Sequence, residues 1–143
     1  MNNSMKIEFL SISKNESFAR SVISAFVSQL NPTLEEIEDI KTAVSEAVTN
    51  IVVHAYGDKT GTVYITCELC DDTAVITITD TGCGIENIDL ARTPLYTASS
   101  DSERSGLGFT VMETFMDELT VTSKKNVGTT VTLTKRIGNQ KEV

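Results

Sequence analysis

Residues 45–54 read SEAVTNIVVH and place a carboxylate, a carboxamide and the chain's single imidazole at Glu46, Asn50 and His54, each four residues from the next. On a helix that spacing stacks side chains along one face. A carboxylate can take a proton from a hydroxyl, a carboxamide oxygen can ligate a hard cation, and an imidazole can do acid–base work. At about 100° per residue, the apolar set Ile37, Ile40, Val44, Val48 and Ile51 centres about 120° away from this stripe. The stripe therefore sits at the margin of a buried face, and taken alone it also fits an ordinary helix boundary.

Three glycine-bearing stretches could do chemistry as well. Residues 80–84 read DTGCG: Asp80 can accept a hydrogen bond from an amine, and Gly82 and Gly84 let the backbone turn tightly against a flat ligand, although such a run also makes a plain turn. Residues 104–109 read RSGLGF, where Gly106 and Gly108 precede a helical pattern and Arg104 stands beside them. Free N–H groups at a helix start suit phosphate and an arginine suits its terminal charge, but two glycines can equally form a helix-entry turn. Residues 128–130 read GTT, which by itself suggests a hairpin turn entering a strand.

The elements that must position these groups are legible. Residues 5–12 suggest a first strand. Ser13 with Glu16, and Thr33 with Glu36, each have the spacing of a capping box, and each is followed by a helical apolar pattern, Phe18, Val22, Phe26 and Leu30 in the first helix. The second helix is expected to reach about Ala55, before Gly57. Residues 62–70 and 73–80 alternate around Asp71 and Asp72 as a hairpin. Residues 81–105 form a long polar connection with one short helix near 86–91, and connections of that length in a small domain are usually functional or disordered. A helix over 108–119 and a second hairpin around Lys125, Asn126 and Gly128 follow. Helices segregated from antiparallel hairpins imply an α+β two-layer sandwich in one domain, residues 1–143, with 136–143 as a frayed tail.

With 143 residues, 40% of them hydrophobic and 22% charged, the chain can bury a full core without a metal or disulfide staple. A net charge of −8 with twelve scattered Lys and Arg excludes a direct nucleic-acid binder and favours a basic protein partner. No apolar run suits a membrane span or signal peptide, so a cytoplasmic protein is expected. Three cysteines suit a reducing compartment; Cys67 and Cys70, three apart in an alternating segment, should face opposite sides of a sheet and act as structural residues.

The order of these motifs, an E-x-x-x-N helix, D-x-G-x-G after a strand, a polar loop, G-x-G before a helix and a G-T-T strand, resembles the nucleotide-binding boxes of the gyrase, Hsp90, histidine kinase and MutL ATPase superfamily over roughly residues 35–135. NESFAR (15–20), IKTAVSEAVTN (40–50), RSGLGFTVMETFMDELTV (104–121) and GTTVTLTK (128–135) are similar to the anti-sigma-F factors of endospore-forming bacteria, a family of small serine protein kinases. The resemblance implies a Bergerat-type sandwich with a mostly antiparallel mixed sheet and helices on one face. It implies ATP/ADP and Mg²⁺ as cofactors, with Glu46 as general base and Asn50 as the Mg²⁺ ligand. Asp80 would read the adenine amine, Gly82 and Gly84 would shape the pocket wall, and Thr130 would support that contact. Gly106 and Gly108 would lie over the phosphates, Arg104 near the γ-phosphate, and residues 85–105 would act as a lid. As partners it implies a sigma factor of the sigma F type, an anti-anti-sigma protein phosphorylated on serine, and a second copy in a homodimer, with Arg20 a candidate partner contact and His54 a packed helix-end residue. An anti-sigma-B type kinase, a nucleotide-gated binding module without kinase activity and a sensor kinase fragment are the alternatives.

Overall fold

The computed structural model describes residues 2–93 and 107–138, arranged as β1 (Asn2–Leu10), α1 (Lys14–Val27), α2 (Leu34–Asn50), β2 (Thr62–Cys70), β3 (Thr73–Asp80), α3 (Ile88–Ala91), α4 (Gly108–Phe115), β4 (Glu118–Lys124) and β5 (Gly128–Arg136). The strands lie in the order β1-β2-β3-β5-β4. Every pairing among them is antiparallel, so the described sheet contains no parallel pair and is not mixed. β5 inserts between β3 and β4, which leaves β1 and β4 as the edges.

Strand alternation sends one set of side chains into the core: Val63, Ile65, Cys67 and Leu69 from β2, Ala74, Ile76 and Ile78 from β3, and Val131 and Leu133 from β5. α2 covers them with Ile40, Ala43, Val44, Ala47, Val48 and Ile51. Cys67 is fully buried, which pushes its thiol up to about 12, whereas Cys70 is exposed, as a three-residue offset along a strand requires.

Several boundaries differ from expectation. The stripe that α1 buries is Ala19, Ile23 and Val27, one position later than the Phe18 series. Small Ala19 lets the helix seat closely, and Phe18 stays 48% exposed with its ring edge-on to Phe9 at 5.9 Å. The capping box at α2 is present: Glu36 N–H donates to Thr33 Oγ1 at 3.1 Å and Thr33 N–H to Glu36 Oε1 at 2.9 Å. The one expected at Ser13 is absent, since Ser13 makes no side-chain cap and Glu16 instead accepts from Ser45 on α2 and pairs with Arg20. β1 occupies 2–10 and not 5–12, because Ser11 leaves the ladder to exchange hydrogen bonds with Gly61.

α4 stops at Phe115 and not 119: Lys135 Nζ caps the Phe115 carbonyl at 2.6 Å while Asp117 N–H turns to Thr134 O. The segment after β5 is ordered further than expected, with Ile137 buried and Gly138 N–H donating to Glu36 Oε2; residues 139–143 of the expected tail lie outside the described residues.

Candidate functional site

α2 does not end where its α-helical ladder ends. Residues Ile51–Ala55 continue as a π-helical turn, a widening often found at functional sites. Asn50, Ile51, His54 and Ala55 form one wall of a cavity of about 840 Å³. Opposite them are Asp80 and Ile78 of β3, Thr129 and Val131 of β5, Lys125 and Asn126 at the β4–β5 turn, the stretch from Cys83 to Asn87, and Gly108 and Phe109 at the start of α4. Apolar floor and a few polar groups at its rim are the usual make-up of a small-molecule site of this size.

Asp80 ends β3 at 5% exposure. Burial pushes its carboxyl above the ordinary carboxylate range, partly offset by the backbone N–H groups of Gly82, at 2.9 Å, and Thr129. Past Asp80 the chain must run close against two other segments. A Cβ on Gly82 would lie 2.0 Å from Ala55 O, and Gly84, at φ +76°, would place one 2.2 Å from Lys124 O. Hydrogen bonds hold this wall on both sides: Cys83 N–H to Ala55 O at 2.7 Å, and Asn126 N–H to Cys83 O at 2.7 Å.

At the other end of the cavity, a Cβ on Gly108 would lie 3.2 Å from Asn50 Oδ1 and 3.4 Å from Glu46 Oε1. The bare glycine lets the N-terminus of α4 come against the polar pair on α2, and Leu107 before it supplies no side-chain cap. Glu46 thus stands one turn behind Asn50, beside the cavity but outside its lining. His54 is half-buried in the π-helical turn and does line the cavity.

Thr130 is not brought to the site. It pairs with Thr79 on the opposite sheet face, their hydroxyls 3.3 Å apart, while Thr129 is buried, lies opposite Asp80 in the ladder and lines the cavity. The signal for this was available: Val131 and Leu133 are the core side of β5, and the period of two makes Thr129 their neighbour on that side. Lys125, Asn126, Ile85 and Phe109 were not foreseen as lining residues; only the folding of the hairpin tip and the turn onto α2 brings them in. Arg104, Gly106 and most of the stretch 85–105 lie outside the described residues. Arg20 is on α1, its Nε 2.7 Å from Glu16 Oε2, away from the cavity.

Residues 14–135 match the histidine kinase-like ATPase domain. Over 136 residues the chain is 57% identical to the anti-sigma F factor of Clostridium novyi, covering 94% of this chain and 95% of that one. The anti-sigma F factor of Caldanaerobacter subterraneus is 54% identical over 140 residues, 98% of each chain. The chain belongs to the anti-sigma F factor family of histidine kinase-like ATPase domains. Two solved structures share the family fold. The RsbU and RsbW domains of a Mycobacterium tuberculosis protein superpose with a TM-score of 0.69 at 21% identity, over 96% of this chain and 33% of that one. The catalytic domain of the histidine kinase ThkA gives 0.59 at 14%, over 93% and 96%.

In an anti-sigma F family chain, the features of the cavity fall into two ends. The Asp80 end offers a buried acceptor beside a flat, glycine-lined wall, which suits a purine carrying an amine. The Asn50 end offers a carboxamide, with the Glu46 carboxylate beside it, and the start of a helix, which suits phosphates and a hard cation. Among the described residues no group of three or more His, Cys, Asp and Glu could hold a metal ion. No helix among the described residues is long and apolar enough to cross a membrane.

Proposed function

We propose that this chain is an anti-sigma factor that binds and inhibits a sporulation sigma factor of the sigma F type, and that it transfers the γ-phosphoryl group of ATP to a serine of its anti-anti-sigma antagonist. The observation that carries the reading is the meeting of Glu46, Asn50 and Gly108 at one end of a cavity whose other end holds Asp80. Binding of adenine would be set by Asp80 and the Gly82–Gly84 wall. Asn50 would hold Mg²⁺, which neutralises charge on the nucleotide phosphates.

In the transfer, the serine oxygen attacks the γ-phosphorus, the bond to the β–γ bridging oxygen breaks, and ADP departs with that electron pair. Glu46 takes the hydroxyl proton. The backbone N–H groups in the first turn of α4, where the N-cap position Leu107 supplies no side-chain acceptor, would receive phosphate oxygens. Gly106 and Arg104, by their place in the sequence, would serve the same phosphates. Phosphoryl transfer of this kind rests mainly on positioning and charge, which a fixed helix face supplies.

A cytoplasmic homodimer completes the reading. β1 is a sheet edge, and Leu10, Ile12 and Phe18 beside it are exposed, so the edge and this apolar patch favour pairing with a second copy. Arg20, in the same region on α1, remains the residue proposed to meet a protein partner.

The deciding experiment incubates the protein with γ-labelled ATP, Mg²⁺ and the antagonist. Glu46→Gln is expected to bind ATP but to transfer label about 100-fold more slowly or worse, and Asn50→Ala to lose Mg²⁺-dependent nucleotide use. Undiminished transfer by both variants overturns the site assignment.

A further inference from the structure

Ser123 lies on β4 opposite Thr129 of β5, on the helix-covered face of the sheet, and behind the cavity wall rather than on it. Its hydroxyl has three neighbours. Ile85 N–H donates to it at 2.7 Å, it donates to Gly128 O at 2.9 Å, and Thr129 Oγ1 lies 2.7 Å away. A serine hydroxyl has one proton and two lone pairs. The arrangement that satisfies all three contacts puts the Ser123 proton on Gly128 O, one lone pair on Ile85 N–H and the other on the Thr129 hydroxyl, with Thr129 as the donor. The Thr129 oxygen then offers the cavity acceptor lone pairs and no donor.

We propose that Ser123 is a positioning residue for base recognition: it fixes the hydroxyl of Thr129 as a hydrogen-bond acceptor beside Asp80, which selects a purine that presents an amine and rejects one that presents a carbonyl. This rests on the nucleotide reading above and deepens it. Ser123 also holds Ile85 N–H, and so ties the turn that lines the cavity to the same hydroxyl that orients Thr129. Loss of the serine oxygen frees the Thr129 proton to turn into the cavity, where it can donate to a ring carbonyl.

The test measures dissociation constants for ATP and for inosine triphosphate, in which a carbonyl replaces the amine, together with KM and kcat for phosphoryl transfer. In Ser123→Ala the preference for ATP over inosine triphosphate should fall about fivefold or more, the worth of one hydrogen bond. KM for ATP should rise while kcat holds. Ser123→Thr should restore the preference, and Ser123→Ala should change it no further in a Thr129→Val background. A merely structural loss would weaken both nucleotides alike and leave their ratio intact, which overturns the proposal. Wild-type protein that binds neither nucleotide overturns the nucleotide reading and this inference with it, whereas wild-type binding with an unchanged ratio in Ser123→Ala overturns this inference alone.

Discussion

Gly82 is pressed against the carbonyl oxygen of Ala55, so that a Cβ at residue 82 would lie 2.0 Å from it. The contact joins the end of the π-helical turn to the wall that follows Asp80, and Cys83 N–H bonds the same oxygen at 2.7 Å. Both partners are backbone, so neither can swing away. Gly82→Ala should cost about 2–3 kcal/mol of stability, in the range of overpacking, and should weaken nucleotide binding as the wall shifts. Urea unfolding midpoints check the first, and a variant as stable as wild type would show that the wall moves freely.

Asp80 is buried with its carboxyl raised above the ordinary range. A raised folded value means the folded state binds the proton before the unfolded chain does, so the ionised form opposes folding at neutral pH and the penalty is relieved as pH falls through the folded value. Asp80→Asn should therefore match or exceed wild-type thermal stability at pH 7 without nucleotide, and that advantage should shrink as pH is lowered. The same variant should lose ATP affinity. An advantage that grew on acidification would contradict the burial argument.

Thr129 and Thr130 separate a cavity residue from its neighbour on the other face of the sheet. Thr129→Val should reduce ATP affinity about fivefold or more, as for one lost hydrogen bond. Thr130→Val, on a β-branched position that keeps its shape, should leave affinity unchanged. Calorimetric titration of both variants distinguishes them, and the reverse pattern would mean that the strand register is shifted by one.

Thr33 and Ser13 look alike in sequence but only Thr33 caps its helix. Thr33→Ala should cost about 1 kcal/mol, as N-cap losses do, and Ser13→Ala close to nothing. Denaturant midpoints measured side by side decide it.

The sequence alone determined the element order, the α2 core stripe, the two hairpins and the glycine-bearing turns, because these follow from local chemistry: strand alternation, helical period and turn residues act within a few positions. Motif order also singled out Asp80, Gly84, Asn50 and Gly108 as candidates, and the fold sets these four around one cavity. Other features were decided only by packing. The α1 face rotated by one residue because Ala19 fits against its neighbours better than Phe18 does. Glu16 left its local cap for Ser45, 29 residues away, and α4 yielded Glu118 to the sheet and its last carbonyl to Lys135. Thr129 replaced Thr130 because the pairing of β5 with β3 fixes which side of the strand meets Asp80. In each case the deciding contact came from a segment distant in the chain, where local pattern has no reach.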